Sequence, residues 1–257
     1  MTGDDEAGQH VRPGASRLDG RVVAITGAGR GLGLLTTRVL LDQGARVIAN
    51  HRSPSAAQSE LQDKHTGTLH LVPGDVGEEA TAEAIAGAAR ALGRLDVLVH
   101  NAAITRDQAL VRMPVEDWDE VQRVNLRGAF LTTKHALRLM MRRRYGRVIY
   151  ISSVSAVVGN AGQANYAASK AGLHGLSHSV AQEYAGYNIR SVVIAPGLLG
   201  TGLGAAMDPA LRDRKAERFL LDVGDTGSVA ATIAFFAGPE ADFVNASVVR
   251  SDGGFRF

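Results

Sequence analysis

The sequence predicts one doubly wound α/β domain, a mostly parallel sheet of seven strands with helices on both faces. Three observations carry that prediction: seven short β-branched runs recur along the chain, helical stretches separate them, and the chemically distinctive residues gather where the runs end. Continuous apolar runs without polar alternation fit strands buried on both faces, the condition of a parallel sheet between helical layers. No internal repeat and no Pro/Ser-rich linker divides the 257 residues, so they are expected to share one core.

The elements follow in order. The first run, Val22–Thr26, leads into Thr26-Gly27-Ala28-Gly29-Arg30-Gly31-Leu32-Gly33, which opens the helical stretch Gly31–Gln43. Glycines between a strand and a helix permit a tight turn and close approach of backbone to a pyrophosphate, and the helix N-terminus favours the anion. The second run, Arg46–Asn50, ends on Asn50-His51-Arg52-Ser53, and the third, Leu69–Val72, precedes Asp75-Val76 and the helix Glu78–Leu92. The fourth, Asp96–His100, ends on Asn101-Ala102-Ala103 and is followed by a long helical stretch, Val115–Arg143, that contains Asn125. The fifth, Arg147–Ser152, stops at Ser153, and the helix Ala164–Tyr184 after it carries Tyr166 and Lys170. The sixth, Arg190–Ala195, runs into Pro196-Gly197 and Thr201, and a last strand lies near Ser247–Arg250. Ligands of doubly wound sheets bind at the carboxyl ends of the strands where their order reverses, and these motifs all fall there.

Composition narrows the function. Apolar content of 45% with 30 glycines reads as globular, and a formal charge of +2 is too small to imply a nucleic-acid partner. With no cysteine, the chain has no disulfide, no thiolate chemistry and no cysteine zinc site. His174 and His178 share a helix face without a third ligand at metal spacing, so no metal is expected and both read as exposed polar residues. Glu78-Glu79 reads as a negative first turn of a helix. Residues 1–17 are polar and read as a disordered tail before a domain spanning 18–257. No apolar run approaches bilayer length, which suggests a soluble, cytoplasmic protein.

The glycine turn points to a dinucleotide, and the end of the second strand bears on which one. NAD sites usually carry Asp or Glu there for the ribose hydroxyls. This chain offers Asn50 and Arg52, with Arg30 in the glycine turn, and no carboxylate. Arginine forks match the oxygens of a 2′-phosphate, which favours NADP(H).

Tyr166 and Lys170 stand four apart, about one helical turn, so phenol and ammonium share a face. A phenol near ~10 is a poor acid at neutral pH, but a cation ~4 Å away at an effective dielectric of ~20 contributes on the order of 4 kcal/mol. That lowers the phenol by roughly three units and fits a tyrosine acting as general acid. The same spacing also fits a helix face with a snorkelling lysine.

Together these motifs resemble the classical short-chain dehydrogenase/reductase family, over nearly everything from Leu18 to Phe257. The resemblance implies a Rossmann-type fold. It implies cofactor contacts from Gly27, Gly29, Arg30, Gly31, Leu32, Gly33, Asn50, Arg52, Asp75, Val76, Asn101, Ala102, Tyr166, Lys170, Pro196, Gly197 and Thr201. The family's catalytic Asn, Ser, Tyr and Lys fall on Asn125, Ser153, Tyr166 and Lys170. In the implied mechanism Tyr166 donates a proton to a ketone oxygen held by Ser153, Lys170 lowers the phenol and holds ribose hydroxyls, and Asn125 supports a water relay. Within the family, Ile104-Thr105-Arg106-Asp107, Arg112-Met113, Trp118, Met140-Met141-Arg142-Arg143-Arg144 and Gly162-Gln163-Ala164-Asn165-Tyr166 are similar to bacterial 3-oxoacyl-[acyl-carrier-protein] reductases. Two departures stand out: Ala103 in place of a glycine, expected to cause a small shift at the nicotinamide, and Asn245-Ala246 without the usual Gly-Gln before the last strand.

The implied substrate is a 3-oxoacyl thioester on an acyl carrier protein, in fatty-acid or polyketide synthesis. Arg142, Arg143 and Arg144 are placed to meet an acidic carrier, or equally to serve a helix C-terminus, and Tyr187 stands where a second basic residue is often found. A lid of roughly 198–221, with Ala205-Ala206-Met207 and Phe219-Leu220-Leu221, is expected over the substrate. The alternatives are a reductase of a free ketone (steroid, sugar or xenobiotic) and an idle NADPH-binding regulator. A homotetramer is expected, with Phe255 and Phe257 packed at an interface or frayed.

Overall fold

The computed structural model describes residues 18–202, 212–213, 216–221 and 223–255. The expected N-terminal tail, Ala205-Ala206-Met207 and Phe257 lie outside the described residues.

Seven strands form one parallel sheet: β1 Val22–Ile25, β2 Arg46–His51, β3 Leu69–Pro73, β4 Val97–His100, β5 Gly146–Ile151, β6 Ile189–Pro196 and β7 Ser247–Ser251. Their order is β3-β2-β1-β4-β5-β6-β7, so the winding reverses between β1 and β4, as expected of a Rossmann-type domain. Side chains alternate between the two faces. Val23, Ile25, Val47 and Val99 pack with Leu40 of α1 (Gly31–Asp42), Leu61 of α2 (Ala56–Lys64) and Ile233 of α8 (Thr226–Ala237). On the other face, Val22, Ala24, Leu98 and Val148 pack with Ile85 of α3 (Glu79–Ala91), Met140 of α5 (Gly128–Arg143) and Leu173 of α7 (Ala164–Tyr184). The short α6 spans Ser155–Val158.

The long helix expected over Val115–Arg143 is interrupted. It runs as α4 (Val115–Gln122), a π turn over Arg123–Arg127, and α5. Such wide turns cluster at functional sites because they re-aim one side chain. The residue re-aimed here is the buried Asn125.

Helix ends follow the local sequence. Ser55 caps α2 at Gln58 N (3.2 Å), and Asp225 caps α8 at Gly227 N and Ser228 N. α1 has no side-chain cap and no acid in its first turn, which leaves its N-terminal N–H groups for a ligand. Ala246, just before β7, takes a φ of +51°, the left-handed region that favours glycine. Its N–H donates to Ser191 O at 2.9 Å, which holds the turn in place.

Candidate active site

A cleft of about 660 Å³ runs along the carboxyl edge of the sheet, within the usual size of a small-molecule site. At one end lie Gly27, Gly29, Arg30, Gly31, Leu32, Gly33, Asn50, Arg52, Asp75 and Val76. At the other lie Ser153, Tyr166, Lys170, Pro196 and Gly197, with Asn101 and Ala102 along its length, while Thr201 sits against Gly31 of the glycine turn. Every expected site residue therefore lines one cleft except Asn125, which is fully buried behind it.

Two glycines cannot be replaced without moving backbone. Gly27 has a φ of +66°, and a Cβ there would meet Ala102 Cα at 2.7 Å. A Cβ on Gly33 would come within 2.2 Å of Gly27 O. The turn is braced from two neighbouring strands: Asn101 Nδ2 donates to Thr26 O (3.0 Å) and Gly27 O (3.1 Å). From the β2 side Ala28 N donates to Asn50 O (2.8 Å), while Asn50 Nδ2 donates to Val72 O (3.1 Å) and Gly74 O (3.0 Å) at the end of β3. Both Nδ2 groups are thus engaged within the protein, and Asn50 and Asn101 shape the cradle.

At the reacting end, Asn125 Oδ1 accepts from Ile104 N (2.9 Å), and its Nδ2 donates to Ile104 O (3.0 Å) and Ser169 Oγ (3.0 Å). Its side chain thus ties the segment after β4 to α7. Lys170 Nζ donates to Ile151 O at 2.6 Å and lies 5.7 Å from the centre of the Tyr166 ring. Ser153 Oγ accepts from Ser155 N (3.1 Å), and Val154 N donates to Pro196 O (2.9 Å).

Electrostatics differ from the expectation. Burial pushes the Tyr166 phenol up to about 12, the Ser153 hydroxyl opposes that rise, and the charge of Asp107 adds to it. Burial pushes the Lys170 ammonium down to about 7. The three-unit drop argued from spacing omitted desolvation, which penalises both charged forms, and the ammonium is aimed at a carbonyl and not at the phenolic oxygen.

A short chain dehydrogenase family profile matches residues 21–212. The chain belongs to the short-chain dehydrogenases. It is 38% identical over 245 residues to the 3-oxoacyl-[acyl-carrier-protein] reductase FabG of Vibrio cholerae serotype O1, covering 92% of this chain and 98% of that protein. The reductase of the same name from Thermotoga maritima is 38% identical over 247 residues, covering 93% and 98%. The crystal structure of levodione reductase superposes with a TM-score of 0.85 at 32% identity, covering 92% of this chain and 98% of that one.

Like its family, this short-chain dehydrogenase is a nicotinamide-dependent oxidoreductase, and the cleft fits such a cofactor. The uncapped N-terminus of α1 faces the glycine turn. Beside that turn, His51 Nδ1 and both polar side-chain atoms of Gln58 are buried without a hydrogen-bond partner. Buried orphans of this kind point to a ligand's polar groups. Arg30 and Arg52 line the same end, while Asp75 is engaged by Arg123 at 2.8 Å. Burial would raise the Asp75 carboxyl, but that guanidinium and Gly77 N–H hold it below the usual range.

Several wall residues carried no role in the sequence reading. Gln163 Nε2 donates to Asp107 Oδ2 (2.8 Å), and Asn160 Nδ2 donates to Gln163 Oε1 (2.6 Å). Phe255 stacks edge-on with Phe219 at 5.1 Å and lines the cleft, a place within its own chain that its position near the end of the sequence did not signal. His174 is half-buried with Nε2 2.8 Å from Ser152 Oγ, which corrects its reading as an exposed residue; His178 is exposed. Away from the cleft, Glu79, Glu83 and His135 bring their ligand atoms within 4.8 Å of one another, and Lys134 pairs with Glu79 there. Among the described residues no helix is long and apolar enough to cross a membrane.

Proposed function

We propose that the chain is an NADPH-dependent ketoreductase that converts a 3-oxoacyl thioester, carried by an acyl carrier protein, to the 3-hydroxyacyl product in fatty-acid or polyketide synthesis. The observation that carries this reading is one cleft with Ser153, Tyr166 and Lys170 at one end and the glycine turn with Arg30 and Arg52 at the other. The nicotinamide, when bound, supplies the reducing equivalent.

The chain's own residues handle the oxygen. Ser153 donates a hydrogen bond to the ketone oxygen and favours the charge that develops on it. Tyr166, held near 12, is protonated throughout the neutral range and gives its proton to an alkoxide that is more basic than a phenolate. Lys170, near 7, is partly charged at neutral pH and favours the phenolate left behind. Asn125 positions the Ile104 backbone against α7 and acts through that contact.

The names of the two 3-oxoacyl reductases support the thioester substrate. Levodione reductase supports a second reading, reduction of a free ketone, to which the apolar Val154, Val158 and Phe219 on the wall are also suited. Arg142, Arg143 and Arg144 are exposed for a carrier, although Arg143 donates to Gly93 O and Arg144 to Gly186 O. A cytoplasmic homotetramer belongs to the same reading.

Purified protein is expected to oxidise NADPH with S-acetoacetyl pantetheine and to favour NADPH over NADH. Tyr166→Phe should keep cofactor binding and lose nearly all turnover. Substantial ketone reduction by that variant, or a preference for NADH, would sink the respective half of the reading.

A further inference from the structure

Residues 216–221 and the segment after β7 close the substrate end of the cleft together. Leu220 N donates to Gly254 O and Leu221 N to Gly253 O, both at 2.8 Å, and Phe219 is buried against Phe255. A Cβ on Gly197 would lie 2.9 Å from the Phe219 ring, which puts this wall beside the Pro196-Gly197 loop and hence beside Ser153. Arg218 is fixed on the wall: its guanidinium lies 4.5 Å from the Phe255 ring centre and lines the cleft. Arg250, after β7, is paired with Asp252 at 2.6 Å. Arg218 has no carboxylate partner among the described residues. A guanidinium resting on an aromatic face presents its fork to carboxylate or phosphate oxygens at little further cost in side-chain freedom.

Charge across the cleft gives that fork a direction. Asp107 lies on the Tyr166 side, held by Gln163, where it repels an anion. Arg30 and Arg52 lie at the opposite end, with the glycine turn. An anionic group on a substrate whose ketone meets Ser153 and Tyr166 is thus turned away from Asp107 and toward Arg218.

We propose that Arg218 is a specificity-determining residue that binds a negatively charged group of the substrate, the phosphate of a pantetheine arm or a carboxylate on the ketone itself. This rests on the ketoreductase reading and names the chemistry its substrate must carry.

The test uses two substrate pairs that differ in that charge: S-acetoacetyl phosphopantetheine against S-acetoacetyl pantetheine, and acetoacetate against ethyl acetoacetate. For wild type, Arg218→Gln and Arg218→Lys, KM and kcat are measured with saturating NADPH. In Arg218→Gln the KM of the charged member of one pair should rise about tenfold, with kcat and the neutral member unchanged, and Arg218→Lys, which keeps the charge without the stacked fork, should regain only part of the loss. The affected pair identifies the source of the anion. An equal change for charged and neutral members, or no change in either pair, overturns the proposal. If the wild type reduces none of the four, the ketoreductase reading fails by itself. Calorimetric binding of phosphopantetheine and of acetoacetate to wild type and Arg218→Gln then decides the subsite: weaker binding of either to the variant upholds it, and equal or absent binding overturns it.

Discussion

Lys170 is 1% exposed, and its ammonium has one carbonyl to rest on. A charge so placed is easily lost, which gives the site a titration in the neutral range. In the proposed mechanism reduction leaves a phenolate on Tyr166, and the charged form of Lys170 favours it, so the rate should follow the protonated lysine. kcat for ketone reduction is expected to fall as pH rises through about 7, and Lys170→Met should be slow and flat over the same range. A wild-type profile with no inflection between about pH 6 and 8 would refute this role. Spacing together with the family resemblance singled these residues out, but neither carried their acidities. A pKa depends on burial and on where each hydrogen bond points, and neither is written in Tyr-x-x-x-Lys.

The π turn at Arg123–Arg127 makes the same point about elements. Apolar periodicity reads through it as one helix because five residues of wider turn barely shift the pattern. What fixes the turn is tertiary: Asn125 holds both backbone groups of Ile104, and Arg123 gathers Asp75, Glu78 and Glu120. The edge before β7 was more legible, since Ala246 stands out as a departure and the structure puts it at positive φ. An L residue other than glycine costs about 1–2 kcal/mol in that conformation, less for glycine. Ala246→Gly should therefore stabilise the protein by about 0.5–1 kcal/mol and raise Tm by a few degrees, read by calorimetry. A lowered Tm would mean that the Cβ packs well enough to outweigh the strain.

At the scale of the molecule, the parallel sheet and the convergence of motifs on one edge followed from the alternation of runs, because each strand ends where the next helix must begin. Of the covering wall, Phe219-Leu220-Leu221 was legible as part of a lid, but its pairing with Phe255 was not, since the two meet through an isolated bridge that no periodicity marks. Burial of charge also shapes global stability. Between about pH 7 and 10.5 the unfolded chain holds a proton on Lys170 that the folded chain has shed, so stability rises with pH there. For Tyr166 the folded pKa is raised, so stability falls between about pH 10 and 12. Urea unfolding without cofactor should give a free energy that climbs from pH 7 to 9, and Lys170→Met should remove most of that slope. A wild-type curve that is level or falls would contradict the buried, partly neutral lysine.

The wall over the substrate end is fastened by two backbone hydrogen bonds and one edge-on ring pair. At about 0.5–1.5 kcal/mol for each hydrogen bond and a similar amount for the rings, unfastening it costs roughly 2–4 kcal/mol. Thermal motion then leaves it ajar about 0.1–3% of the time without help from a ligand. A substrate therefore enters through a door that opens by itself, and its rate of arrival is bounded by how often those few contacts let go.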